Sequence, residues 1–296
     1  MLELPLTAFE RRWREIAPPR ATDSAQAIYD LLPALTSAAT PFVSSTAPYD
    51  PQSEWHWSQA ARVADYAARA PAGARVAVDV GPGDGWPALP LARECPSLLV
   101  LGVEPSPQRT RVCAGHARLQ RCANAVFVTA DAAHLPLRDG AVDYVVASQS
   151  LEEASDPEAV LRELARVLRR GGVLRASYQD WRLPALELES VGLLEGRDAL
   201  LCIYARRVRD PALERRYVIA IPSDGAAADA FNAALVAASA EPRTYGETAL
   251  RAGSPLRALL LERVLPHARR SMVVELRRWT TPWLVGALRR AGFAQA

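Results

Sequence analysis

The chain has 296 residues, half of them apolar and 23% charged, enough to bury one large core or two smaller ones. Its net charge of +2 argues against a global polyanion-binding surface, and all 35 basic residues are Arg. Cys95, Cys113, Cys122 and Cys202 show no CxxC spacing, so neither a disulfide framework nor a metal site is expected. The N-terminal "MLELPLTAFERRWREI" lacks the apolar core of a signal peptide, and no run of about 18 uncharged apolar residues predicts a membrane span. Together these features predict a cytoplasmic protein.

Three segments differ in texture. Residues 1–72 predict an N-terminal helical cap, with helices near Thr7–Ala17, Ser24–Ala38 and Trp55–Ala70 and the Pro-rich "TPFVSSTAPYDPQSEW" before the last. Residues 73–180 alternate apolar runs with helical patterns, which predicts repeated βα units and a mostly parallel sheet. The runs are "RVAVDV", "LLVLGVE", "AVFVTAD", "VDYVVAS" and "VLRASY". Between the last two, Asp156 is an N-cap, Pro157 opens a helix, and Val160, Leu161, Leu164, Val167 and Leu168 form its apolar face. Gly171 and Gly172 are expected to stop it. Residues 181–296 predict an α+β addition: a hairpin ("ALLCIYARRV", "RRYVIAIP"), an Ala-rich helix near 226–240, and Arg-rich helical stretches to the end.

The first apolar run ends in "DVGPGDGWP". Glycines after a strand allow a tight turn with positive φ and let a ligand lie against bare backbone. A plain strand-to-helix turn would also use them. Four features coincide here, however: Asp79 at the strand end, glycines at 81, 83 and 85, a second strand ending in Glu104, and a third ending in Asp131. The dinucleotide fingerprint GxGxxG is not met, because Trp86 holds its final slot, and no GKS or GKT follows for a phosphate loop. The pattern suits a nucleoside without a pyrophosphate.

At these residues the stretch 75–180 resembles a class I S-adenosylmethionine-dependent methyltransferase, of the broad small-molecule branch that includes the ubiquinone and menaquinone biosynthesis enzymes. "DVGPGDG" is similar to the family's D/E-x-G-x-G-x-G, "GVEPS" to its second-strand motif, and "TADAAHLPLRDGAVDYVVASQSLEEASDPEAVLRELARVLRRGGVL" to its run through the fourth and fifth strands. The resemblance implies a three-layer Rossmann-like α/β fold and S-adenosylmethionine as cofactor, with S-adenosylhomocysteine as product. It implies a cofactor cradle of Asp79, Gly81, Pro82, Gly83, Gly85, Glu104, Pro105, Asp131, Ala132, Ser148 and Gln149. Glu104 would take both ribose hydroxyls, Asp131 the adenine amino group, the Ala132 amide the ring, and Ser148 and Gln149 the methionine side.

The chain departs from the family at Leu137 and Val142, where Phe is common, and at Glu153, where His is common. The first two only repack a core. Glu153 is either a solvated acid or a carboxylate that orients an acceptor. Methyl transfer needs a general base only if the acceptor must lose a proton, so the catalytic residue stays unassigned, with Tyr178, His56 and Glu153 as candidates. Tyr49, Trp55, Trp57, Trp86, Asp180 and Trp181 could line the mouth, the aromatics by stacking or cation–π contact. His134 follows Asp131 on the adenine side, and His116 and His267 have no evident partners.

The expected acceptor is an O, N or C atom of a small molecule. A non-catalytic cofactor-binding module is the alternative, and an aminopropyltransferase a remoter one. From residue 241 on, 10 Arg face 4 Glu, including the pairs at 269–270, 277–278 and 289–290. This could bind phosphates, but the interspersed acids disfavour nucleic acid and suit a solvated face or the contact of a homodimer. The tail "TTPWLVGALRRAGFAQA" is similar to the helix before the family's last antiparallel strands, which are either absent here or, the favoured expectation, supplied to the same sheet by the hairpin at 199–221.

Overall fold

The computed structural model describes residues 4–21, 25–32, 54–238 and 248–294. In chain order these hold α1 (Ala8–Ile16), β1 (Arg20–Ala21), α2 (Gln26–Tyr29) and α3 (Glu54–Ala68). Then come β2 (Val76–Val80), α4 (Ala88–Glu94), β3 (Leu99–Glu104), α5 (Pro107–Leu119), β4 (Ala125–Thr129) and β5 (Val142–Ser148). A 3-10 turn at Leu151–Glu153 leads to α6 (Pro157–Val167) and β6 (Leu168–Ser177). The rest comprises β7 (Glu187–Glu195), β8 (Leu200–Val208), β9 (Leu213–Ile221), α7 (Ala226–Ala238), β10 (Thr248–Ala249), α8 (Pro255–Leu259), β11 (Arg270–Arg277) and α9 (Thr281–Ala291).

The chain divides into two compact units, Ala34–Asp180 with Thr281–Ala296, and Met1–Pro33 with Trp181–Thr280. The parallel-sheet unit thus takes back the last helix, and the first helix belongs with the antiparallel strands.

The parallel-sheet unit is a five-stranded sheet ordered β4-β3-β2-β5-β6, every neighbouring pair parallel. β2 lies at its centre, and Ala77 and Val78 are fully buried, as an apolar run covered on both faces requires. Val63 and Tyr66 of α3, Leu89 and Leu91 of α4 and Ala117 of α5 form one core with Ala77, Val100, Tyr144 and Val146 of the strands. α6 starts as its sequence dictates: Asp156 accepts from the Ala159 amide at 2.9 Å and Pro157 occupies the first turn. It buries Val160, Leu161, Leu164 and Val167.

The helix does not run on to Gly171 and Gly172. It ends at Val167, and β6 begins at once with an irregular register against β5, Gly171 standing at φ 75° inside it. At the unit's end, the Thr281 amide opening α9 donates to Asp180 Oδ1 at 2.9 Å, and Arg290 pairs with Glu158 of α6 at 2.7 Å.

The other unit is a six-stranded sheet ordered β1-β11-β9-β8-β7-β10, antiparallel except for β1 against β11. Both faces are covered, so β9 alternates between two cores. Tyr217, Ile219 and Ile221 join Phe9, Trp13 and Phe231, whereas Val218 and Ala220 join Ala25 and Ile28. The hairpin expected to complete the parallel sheet lies here instead, as β8 and β9 between β7 and β11. Strand alternation specifies a face and not the sheet it joins. Residues 270–277, expected to be helical, instead form β11, paired antiparallel along β9 with Glu275 opposite Arg215. The helix expected over Ser24–Ala38 spans only Gln26–Tyr29 among the described residues.

The same sheet holds a buried ionic network. Arg206 of β8 stands directly opposite Arg215 of β9, a repulsive pairing in isolation. Glu10, fully buried at the third position of α1, bridges them, with Oε2 to Arg206 and Oε1 to Arg215, each at 3.0 Å. Its Oε2 also accepts from the Thr7 amide at 2.8 Å, while the Glu10 amide donates to Thr7 Oγ1 at 3.1 Å, a capping box. Nearby, buried Glu214 pairs with Arg207, Arg216 and Arg278. Burial pushes its carboxyl up, but these guanidinium groups outweigh burial and hold it at about 2. Of the Arg-rich tail, Arg278 is thereby held by a carboxylate of the chain itself, as are Arg257 by Glu189 and Arg290 by Glu158.

Candidate cofactor site

The glycine loop leaves the carboxyl end of β2, where ligands bind in open α/β sheets. Gly81, Gly83 and Gly85 stand at φ 69°, 57° and 112°, a region open to glycine. The Gly81 amide donates to Val103 O at 2.9 Å, and the Gly85 and Trp86 amides donate to Pro82 O at 2.8 and 3.0 Å. A methyl group on Gly81 would lie 2.7 Å from Ser150 Cβ, so this glycine also allows a close approach. A methyl group on Gly83 would meet nothing within 4 Å, leaving bare backbone beside open space.

Two buried acids flank the loop. Asp79 has no exposed surface, and neither of its carboxylate oxygens has a hydrogen-bond partner among the described residues. Burial pushes its pKa up to about 8, and the charge of Glu104 adds to the rise. Such a group calls for a cationic partner. Glu104, also buried, accepts from the Gly83 amide on Oε2 at 3.2 Å and from the Ser106 amide on Oε1 at 3.1 Å. A carboxylate oxygen has two lone pairs and can accept from more than one donor. Pro105 follows it and leads into the Ser106 cap of α5.

Asp131 and Ala132 follow the end of β4. Asp131 is exposed, accepts from the Ala133 amide at 2.9 Å, and has His134 at 3.8 Å. Ser148 ends β5, and the exposed Gln149 follows with φ 54°, its amide donating to Ser177 O at 2.8 Å.

Here the structure adds residues that the motifs did not mark. Arg62 of α3 donates to Ser148 Oγ at 3.0 Å and lies over the Trp86 ring at 5.4 Å, and Ser177 Oγ is 3.0 Å from Ser148 Oγ. The Tyr66 hydroxyl reaches Ser177 Oγ at 3.1 Å. No carboxylate among the described residues pairs with Arg62, whose pKa is lowered by burial. It borders a cleft of about 440 Å³ with Tyr66, Ser177, and the ion pair of Asp65 with Arg175. Nothing in the sequence separates Arg62 from the other 34 arginines.

The catalytic candidates fare differently. The Tyr178 hydroxyl is 2.7 Å from Thr281 Oγ1. Glu153 is half-buried in the 3-10 turn after β5, while its neighbour Glu152 is buried and accepts from the Gln179 amide at 3.1 Å. Tyr49 and the side chains of Trp55, His56 and Trp57 lie outside the described residues. His116, read as partnerless, is buried with Nδ1 2.8 Å from Asp84 O.

A positive-φ glycine turn between two buried acids, at the carboxyl edge of a parallel sheet, suits a nucleoside carrying an ammonium group and a free ribose. Comparison with known proteins finds similarity to methyltransferases. Residues 78–176 match the family model described as "Methyltransferase domain". An uncharacterized methyltransferase of Mycobacterium sp. (strain JLS) is 36% identical over 112 residues, 38% of this chain and 42% of that protein. The ubiquinone biosynthesis O-methyltransferase of Caulobacter vibrioides is 31% identical over 134 residues, 43% of this chain and 50% of that protein. The chain therefore spans half or less of the length of these relatives. The CcbJ methyltransferase of Streptomyces caelestis shares the fold, with a TM-score of 0.51 at 18% identity over 91% of this chain and 85% of that one. Residues 78–176 are thus similar to a methyltransferase domain, and the chain shares the Rossmann-like fold of the CcbJ methyltransferase.

Proposed function

We propose that this protein is an S-adenosylmethionine-dependent methyltransferase acting on an O, N or C atom of a small-molecule acceptor. The observation that carries the reading is the pair of buried carboxylates, Asp79 and Glu104, on either side of the positive-φ glycine loop. Asp79 receives the cofactor's ammonium group and Glu104 its ribose hydroxyls, as charge-assisted hydrogen bonds. Gly81, Pro82, Gly83 and Gly85 lay bare backbone along the cofactor. Arg62, with no described carboxylate partner, takes the methionine carboxylate, and Ser148 and Gln149 line the methionine side. Asp131 and the Ala132 amide read the adenine edge. When bound, the cofactor supplies an electrophilic sulfonium methyl group.

The protein's part is to hold the acceptor in line and shielded from water. Tyr178, Glu153 and His56 are the residues we assign for testing as acceptor contacts. Of these, Tyr178 and His56 lie outside residues 78–176 and so outside the family match, and Glu153 lies within it. We place the protein in the cytoplasm, a reading supported by free thiols at Cys95, Cys113, Cys122 and Cys202. Among the described residues, no helix is long and apolar enough to cross a membrane.

Calorimetric titration with S-adenosylmethionine, S-adenosylhomocysteine and NAD tests the cofactor. Micromolar binding of the first two and none of NAD is expected. No binding of either sulfur nucleoside to folded protein would overturn the reading. An acceptor screen read by S-adenosylhomocysteine release then separates an enzyme from a module that only binds.

A further inference from the structure

We propose that Arg109, acting through Asp84, is a positioning residue that fixes the backbone of the cofactor loop, an inference that rests on the cofactor reading above. The loop needs such a fixture. Its three glycines stand at positive φ, and a chain so free loses much entropy when ordered. A ligand that lies against bare backbone gains most from amides already in place.

The fixture comes from one face of α5. Arg109, Cys113 and His116 are spaced i, i+4 and i+7 and share a side of the helix. Arg109 Nη1 donates to Asp84 Oδ1 at 2.7 Å, Cys113 Sγ donates to Gly83 O at 3.1 Å, and His116 Nδ1 lies 2.8 Å from Asp84 O. Since a carbonyl only accepts, the His116 contact places a proton on Nδ1. All four side chains are buried, with exposures of 8% for Arg109, 0% for Cys113, 2% for His116 and 4% for Asp84. Glu104 takes the Gly83 amide. Gly83 is thus held at both its N–H and its carbonyl, and Asp84 at its carbonyl and its carboxylate.

A helix face against a sheet is ordinarily apolar. Burying an ion pair there returns little net stability compared with a well-packed apolar pair. What the Arg fork adds is direction. Asp84 occupies the residue between the second and third glycines, so aiming its carboxylate aims the turn.

Two measurements on full-length protein test this. The first follows hydrogen exchange of the Gly83, Asp84, Gly85 and Trp86 amides without ligand. The second is titration with S-adenosylhomocysteine. Arg109→Met is expected to speed loop exchange and weaken binding by about tenfold or more, while exchange in Val76–Val80 stays as in wild type. Asp84→Asn should do the same. The double variant should fall within about twofold of either single variant, because the two residues act as one unit. Arg109→Lys should recover part of the affinity. Wild-type loop exchange with unchanged affinity in Arg109→Met, or fully additive losses in the double variant, would overturn the proposal. Should Arg109→Met not fold, Cys113→Ala carries the test: faster loop exchange upholds the fixture and wild-type exchange refutes it. Failure of the wild type to bind the nucleoside would refute the cofactor reading alone, since the exchange result still decides the fixture.

Discussion

The backbone amide of Gly83 donates to Glu104 Oε2 at 3.2 Å, so the turn after β2 and the acid ending β3 form one hydrogen-bonded unit. Glu104→Ala removes this tether and, on the proposed cofactor reading, a ribose acceptor. It should weaken S-adenosylhomocysteine binding by about 1–3 kcal/mol, the range for losing a charged hydrogen-bond partner. Glu104→Gln, which keeps one acceptor oxygen, should fall between. Unchanged affinity in the alanine variant would remove Glu104 from the site.

Asp79 couples binding to stability. Its folded-state pKa of about 8 lies above the ordinary 3.8, so the folded protein holds a proton that the unfolded chain has released across that interval. The stability from this proton is fully present below about pH 4 and is lost as pH rises toward 8. Asp79→Asn removes the dependence. Its Tm relative to wild type should rise from pH 5 to pH 8, while its affinity for S-adenosylhomocysteine falls by about tenfold or more, a trade of function for stability. Thermal melts at both pH values, with a titration at pH 8, check the two signs together.

The glycines separate fold from ligand. Gly81→Ala combines strain at φ 69° with a 2.7 Å clash against Ser150, so it should lower stability by about 1–3 kcal/mol. Gly83→Ala meets no neighbour within 4 Å. It should cost only about 1 kcal/mol of strain and chiefly block the nucleoside. Melting and binding measured on both variants should rank them in opposite orders.

Arg62→Met should weaken S-adenosylhomocysteine by about tenfold and leave 5′-methylthioadenosine, which lacks the amino-acid end, unchanged. Equal losses for both ligands would assign Arg62 to the shape of the cleft and not to a carboxylate.

Glu214 concerns the other unit. Its pKa of about 2 lies below the ordinary 4.5, so the stability it contributes is present above about pH 4.5 and is lost as pH falls toward 2. Glu214→Gln takes the shared anion from Arg207, Arg216 and Arg278 and should cost about 3–5 kcal/mol, as breaking a buried ion pair does. Chemical denaturation at pH 7 and pH 3 should show the variant's deficit shrinking in acid.

What was legible in the chain was local. The Asp156–Pro157 start of α6 and the glycine turn after β2 each depend on residues within a few positions, so pattern alone reveals them. The same holds for the acids that end β2 and β3. The rest depends on residues distant in sequence. Arg109, Cys113 and His116 recur at helical spacing, but only the fold shows the peptide groups that they meet. Arg62 gains meaning from Ser148, 86 residues on. The strand character of residues 270–277 depends on pairing with β9, and nothing local announces that Glu275 meets Arg215, 60 residues upstream.

The bridge from Glu10 to Arg206 spans 196 residues and sets an order of events during synthesis. At about 5–20 residues per second, α1 leaves the ribosome ~10–40 s before the strand that neutralises its buried carboxylate. All five strands of the parallel sheet emerge within that interval. The nascent chain can therefore assemble its parallel sheet while its N-terminal helix still waits for a partner.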